Sequence, residues 1–205
     1  MRKFIYFIAL LIVFLLPVTT RAQGLVINEM MSANATTIAD EDGDFSDWIE
    51  LYNGTNDTIN LAGYTLSDKL GQPAKWTFTD YLLAPNSYLI VFASGKDRQG
   101  LPYFHTNFSI KDEGEDVLLS NPQGEIISHY NPVPLTDDNS YGCRTDGNTS
   151  NMVFFLGATP GNTNNHQPLI SSQGFVINEM MSANATTITD EDGDYSDWIE
   201  LYNGT

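Results

Sequence analysis

Residues 23–55 read QGLVINEMMSANATTIADEDGDFSDWIELYNGT, and residues 173–205 read QGFVINEMMSANATTITDEDGDYSDWIELYNGT. The two stretches lie 150 positions apart and differ at three of 33 places: Leu25/Phe175, Ala39/Thr189 and Phe45/Tyr195. Such a period is too long for a solenoid, whose units run to about 20–50 residues. It is the size of a whole domain. The repeat therefore divides the chain into a leader, one complete domain and the opening of a second. The expected parts are a signal peptide at 1–22, a domain at 23–164, a linker at 165–172 and a truncated second copy at 173–205. The linker lies within the polar stretch TNNHQPLISS, Thr163 to Ser172. On this reading the chain is a fragment of a longer tandem protein.

The leader differs in kind from the rest. Arg2 and Lys3 precede an apolar run from Phe4 to Val18, and Thr20-Arg21-Ala22 places small residues three and one before a cut after Ala22. Basic start, apolar run and small-residue exit make a secretory signal. The run is shorter than the roughly 20 residues of a membrane-spanning helix. No other stretch is apolar enough to span, so the mature chain is expected to cross no membrane and to be secreted or held at the cell surface. Removing Arg2, Lys3 and Arg21 from the 9 basic residues leaves 6 against 26 acids, taking the net charge from -17 to -20. That balance argues against nucleic acid, whose phosphates need clustered Lys and Arg. It keeps a secreted chain soluble. With one cysteine, Cys143, neither a disulfide framework nor a cysteine metal site can form, and a plain loop thiol is expected.

Periodicity in the complete copy is that of strands. Trp48 to Tyr52 alternates, with Glu50 opposite Ile49 and Leu51, and Lys75 to Phe78 alternates too. Tyr88 to Phe92 is continuously apolar and predicts a strand buried on both faces. Asp116 to Ser120 and Glu125 to Tyr130 flank Asn121-Pro122-Gln123-Gly124, a hairpin loop with Pro and Gly where turns want them. No segment sustains helical spacing over ten residues. Short strands with turn signals about every ten residues predict an all-β antiparallel sandwich.

These residues occur in ordered blocks. They are Ile27-Asn28-Glu29, Asp40 to Asp44 followed by Asp47 to Asn53, Leu61 to Asp68, Tyr88 to Asp97, His105 to Phe108, Ser140-Tyr141-Gly142, Asp146-Gly147 and Thr159 to Asn162. In this order they resemble the lamin tail domain family, in its bacterial secreted branch, over roughly 24–164. Cys143-Arg144-Thr145 departs from the pattern, which would place Arg directly after Gly142. The resemblance implies an immunoglobulin-like sandwich with no catalytic apparatus of its own. It implies an accessory module on secreted or surface proteins, a scaffold, tether or interaction domain, with an unknown protein or surface polymer as partner. In a bacterial host the sequons at Asn34 and Asn107 stay unmodified.

Several motifs carry groups capable of chemistry. Asp40, Asp42 and Asp44, with Asp47 close behind, resemble the start of a calcium loop, since Ca²⁺ wants six to eight oxygens on a tight turn. The match to an EF-hand fails at Phe45 and Leu51, where that loop needs Gly and Glu. These four aspartates are the candidate metal ligands, Ca²⁺ the one candidate cofactor, and a calcium-dependent glycan or matrix adhesin the alternative function. Gly95-Lys96-Asp97 lacks the glycine and hydroxyl residue of a phosphate loop. His105, read as a loop residue, or His129, in a strand, could join a serine and an acid on paper, but no G-x-S-x-G elbow exists. Trp48, Trp76 and Tyr64 could stack sugars, although alternation places the tryptophans in the core. The remaining alternative is an accessory region whose enzyme, a hydrolase, nuclease or spore-coat-type kinase, lies elsewhere in the protein.

Overall fold

The β-branched and aromatic runs on either side of the acidic stretch pair as a hairpin. A computed structural model describes residues 24–100, 102–165 and 175–203; the leader at 1–22 and most of the 165–172 linker lie outside the described residues. Strand β1 (Leu25–Met31) runs antiparallel to β2 (Asp47–Asn53), in register Ile27↔Leu51, Glu29↔Glu50 and Met30↔Ile49. The ladder shifts at Asn28, the extra residue of a β-bulge. Without it, strict alternation would send Glu29 inward with Ile27. With it, Ile27 and Met30 face one core and Glu29 joins Glu50 on the opposite side. The bulge frees backbone groups of Ile27, which must find partners. Its N–H donates to Ser128 Oγ at 3.2 Å and its carbonyl accepts Tyr130 Oη at 2.9 Å, both across the sandwich.

The remaining strands, in chain order, are β3 (Ile59–Asn60), β4 (Thr65–Ser67), β5 (Trp76–Thr77), β6 (Leu82–Leu83), β7 (Tyr88–Ala93), β8 (Phe104–His105), β9 (Val117–Ser120), β10 (Ile126–Tyr130), β11 (Ser140–Cys143) and β12 (Met152–Phe155). One sheet has the order β12-β11-β1-β2-β7-β8, the other β10-β9-β4-β5, and β3 pairs with β6. Leu25, Ile27, Met30, Ile49 and Leu51 of the first sheet meet Leu66, Trp76, Leu119 and Tyr130 of the second in one core. Fully burying each such side chain contributes about 1.5–3 kcal/mol. Strand β7 is buried on both faces, as its unbroken apolar run predicts. Among the described residues no helix forms, and the architecture is the expected immunoglobulin-like sandwich.

Four details differ from the sequence reading. β7 and β8 pair in parallel, so the sandwich is not wholly antiparallel, and His105 sits in that short strand rather than in a loop. Trp48 is fully buried, but on the far side of the first sheet, where Met31, Ile90 and Phe92 form a second, smaller cluster. That far side is closed by the chain itself, with Ile38, Tyr103 and Ala158 packed against it. Cys143 is not a loop thiol: it lies in β11, fully buried, its thiol pushed up to about 11 by burial. β11 approaches β1 so closely that a Cβ at Gly142 would stand 2.4 Å from the Asn28 carbonyl oxygen, which explains a glycine in mid-strand.

In the repeated stretch, β13 (Phe175–Met181) pairs with β14 (Trp198–Asn203) as a separate two-stranded sheet.

Candidate functional site

The acidic stretch between β1 and β2 folds around its first aspartate. Asp40 Oδ1 accepts the Asp42 and Asp44 N–H groups at 2.9 and 3.1 Å, and the Asp40 N–H donates to the Asp44 carbonyl at 2.9 Å. Gly43, at φ +87°, supplies the left-handed residue that the turn requires. The other face of the turn meets the segment after β7. Lys96 Nζ lies 2.5 Å from Asp40 Oδ2 and 2.9 Å from both Asp42 Oδ2 and Asp44 Oδ2. Arg98 adds contacts to Asp42 at 2.6 Å and Glu41 at 3.2 Å. Burial pushes the Asp40 carboxyl up, but the Lys96 ammonium and the two turn N–H groups outweigh it and hold it below its ordinary value. Desolvation likewise works against the Lys96 charge, and the three carboxylates more than offset it, holding the amine well above its ordinary value.

One oxygen from each of Asp40, Asp42 and Asp44 lies within 4.8 Å of the others, so three of the four candidate metal ligands converge. The cation they converge on is the chain's own Lys96. Asp40 spends one oxygen on backbone N–H groups and the other on that ammonium. Calcium, wanting six to eight oxygens, would have to displace Lys96, and the residues do not fit an ion beside it. Asp47 stands apart. Its Oδ2 accepts the Ile110 N–H at 3.0 Å, and burial, with Asp112 nearby, pushes its carboxyl up to about 7.

Beside the acidic turn runs a Ser–His–Glu chain that spacing alone did not reveal. Ser94 Oγ lies 2.9 Å from His105 Nδ1, and His105 Nε2 lies 2.9 Å from Glu41 Oε2. The imidazole is fully buried and stacks on Phe92 at 5.4 Å between ring centroids. A nucleophilic serine needs free N–H groups for the developing oxyanion. The amides after Ser94 are committed: Gly95 to Phe108 O, Asp97 to Thr106 O, Arg98 to His105 O, and Lys96 to Ser94 Oγ. The chain thus ties the 94–98 turn to the acidic turn. His129 instead pairs with Asp116 at 2.7 Å, beside the β9–β10 hairpin.

On the far side of the first sheet, Glu29 and Glu50 are both fully buried. Alternation placed Glu50 opposite Ile49 correctly, but that face is covered by residues 159–165. Glu29 accepts from Ser140 Oγ, from Thr159 N–H at 3.2 Å and from Thr159 Oγ1 at 3.0 Å. Glu50 accepts Asn28 Nδ2 at 2.9 Å and the Gly161 N–H at 2.7 Å. Asn164 Nδ2 reaches the carbonyls of Cys143 and Asn28. Asp146 accepts Tyr88 Oη at 2.8 Å and the Asn164 N–H at 3.0 Å. Burial raises both glutamates, Glu50 to about 8, with the Glu29 charge adding to it. The network closes on itself and latches the segment after β12 onto β1 and β2. The sequence held its members only as separate blocks, among them Asn28-Glu29, Asp146-Gly147 and Thr159 to Asn162.

Asp138 is a further unforeseen anchor. It sits at φ +58°, and its carboxylate accepts the N–H groups of Ala35, Thr36 and Thr37 at 2.9, 2.8 and 3.2 Å, with both threonine hydroxyls. The Thr36 hydroxyl and these amides hold it far below the usual carboxylate range. The sugar-stacking reading loses its aromatics: Trp48 and Trp76 are buried, and Tyr64 packs half-buried on the core.

Two sheets around a shared core, with polar residues spent on tying loops to strands, define an immunoglobulin-like domain. Residues 19–133 match the lamin tail domain family, and the chain belongs to that family, which is non-catalytic. No curated protein matches the chain.

Proposed function

We propose that this chain is a secreted or cell-surface accessory module of a bacterial protein, part of a longer tandem array, that tethers its neighbours or contacts a partner. The observation that carries this reading is the commitment of its polar groups. The three clusters that could have been chemical sites each close internally: carboxylates on Lys96, His105 between Ser94 and Glu41, and the buried glutamates on the 159–165 segment. Family membership supports the same reading, as does the strongly acidic surface. The calcium-adhesin alternative loses ground to Lys96 and to the burial of both tryptophans.

The test is to express the full chain with its leader, fractionate the host and sequence the N-terminus of the exported product. Export with a start at Gln23 supports the proposal. Retention in the cytoplasm with the leader intact overturns its location. A hydrolytic activity abolished by His105→Ala overturns its non-catalytic part.

A further inference from the structure

One surface recess holds polar groups that the internal networks leave unspent. It has a volume of about 370 Å³ and lies where the end of β1, the start of β2 and the segment after β8 meet. Asp47, Asp112 and Asp137 line it, with Ser32 and Ile110. The one cation on its wall, Lys111, is turned to Glu115, with Nζ 2.5 Å from that carboxylate. Asp47 uses one oxygen on the Ile110 N–H and Asp112 one on the Glu113 N–H, and the other oxygen of each carries no hydrogen bond among the described residues. Ser32 is only 5% exposed, yet its hydroxyl has no hydrogen-bond partner among the described residues. An orphaned buried hydroxyl is costly, about 1–3 kcal/mol, and beside three acids it marks a place for a donor.

The form of the donor follows from spacing. A divalent cation draws ligand oxygens to about 2.3–2.6 Å from one point. Among the described residues, the trio that gathers its oxygens within 4.8 Å is Asp40, Asp42 and Asp44, not the recess acids. Acceptors spread around a wider cavity suit a planar fork of five N–H donors, which is a guanidinium. The net charge of -17 draws a basic partner toward this surface.

We propose that the recess between Ser32, Asp47, Ile110 and Asp112 binds an arginine side chain of a basic partner polypeptide. The proposal rests on the reading of this domain as an interaction module and names the side chain it takes. Asp47 and Asp112 face the guanidinium charge, and the Ser32 hydroxyl accepts one of its N–H groups. A cation there also relieves the cost of ionising Asp47, whose carboxyl burial pushes up to about 7.

The experiment is an NMR titration of the full chain with the capped peptide Gly-Gly-Arg-Gly-Gly, beside the same peptide carrying citrulline or lysine. Saturable shifts at the amides of Ser32, Asp47, Ile110 and Asp112 are expected with arginine and none with citrulline. Lysine should bind at least about threefold more weakly, lacking the fork. Asp47→Asn should weaken arginine binding about tenfold or more, and Ser32→Ala by a few fold, each in a chain that keeps the wild-type fold by circular dichroism. Ser32→Ala keeps the test decisive should Asp47→Asn fail to fold. Shifts centred on residues 40–44, equal binding of citrulline or lysine, or wild-type affinity in a folded variant would overturn the recess. None of those outcomes touches the module reading, which stands or falls on export and on the His105→Ala assay.

Discussion

The hairpin β1–β2 and its near-identical twin β13–β14 share ladder, bulge and acidic turn and differ in burial. Each pairs in the same register, Glu29↔Glu50 and Glu179↔Glu200, and each shifts one residue before that pair. Each acidic turn closes alike, with Asp190 accepting the Asp192 and Asp194 N–H groups and Gly193 at φ +84°. Asn34 Nδ2 donates to the carbonyls of Ile38 and Ser46, and Asn184 Nδ2 to those of Ile188 and Ser196. Yet Met30, Ile49 and Leu51 are fully buried, whereas Met180, Ile199 and Leu201 are 63, 62 and 59% exposed. The ladder, the bulge and the turn are therefore written locally in some thirty residues. Burial, and with it stability, comes from residues 59–165. The lysine is a later addition too: Asp190 Oδ2 takes the Ser196 hydroxyl at 2.9 Å where Asp40 Oδ2 takes Lys96. The turn forms without its cation, and the cation fastens it to the rest of the domain.

Matched substitutions in the two copies sharpen the contrast. The largest effect is expected from Trp48→Ala, which should cost about 3–5 kcal/mol in chemical denaturation. A loss under about 1 kcal/mol would contradict the buried cluster it forms with Met31 and Phe92.

Next is the pH dependence of the same denaturation. Glu29 and Glu50 are raised by burial, Glu50 from 4.5 to about 8, so the folded form keeps protons the unfolded chain loses. Their contribution is whole below the unfolded value and is lost as pH rises through about 8. Asp47, raised to about 7, acts in the same direction. Asp138 and Asp40, held low, contribute stability above 3.8 that is lost as pH falls through their folded values. The urea midpoint should therefore fall between about pH 5 and about pH 8. Glu50→Gln should flatten that fall, and Glu200→Gln should leave it unchanged.

Lys96→Met removes the cation from a buried Asp40 and should cost about 1–3 kcal/mol. The turn itself should survive, as the second copy implies, and NMR should find the changes concentrated at 94–98. Asp138→Ala frees three backbone amides of the 35–37 segment and should cost about 1–2 kcal/mol. Smallest of all, Leu201→Ala should change stability by no more than about 0.5 kcal/mol, against about 2–5 kcal/mol for Leu51→Ala.

The strand pattern, the two-faced burial of β7 and the hairpin at 121–124 were legible because alternation and turn residues are local signals. The bulge at Asn28 was not, since it shows only where Glu29 finds Ser140 and Thr159, and Glu50 finds Gly161, 111–130 residues away. Likewise Lys96 looked like a failed phosphate loop, because its partners are more than fifty positions upstream. Asp40, Asp42 and Asp44 could be grouped from spacing, but nothing local separates Asp47, which opens β2 and turns toward Ile110. Long-range closure decides which acids meet a cation and which are left to a recess.

Native-state hydrogen exchange on the full chain tests the division between local form and distant burial most directly. Amides of β1 and β2 should exchange only through global unfolding, with protection set by the stability of the whole domain. The corresponding amides of β13 and β14, in the same ladder but with no covering sheet among the described residues, should exchange nearly as fast as an open chain, since a lone hairpin is marginal in water. Equal protection of the two hairpins would contradict this account, because β13–β14 would then be held by something beyond its own sequence.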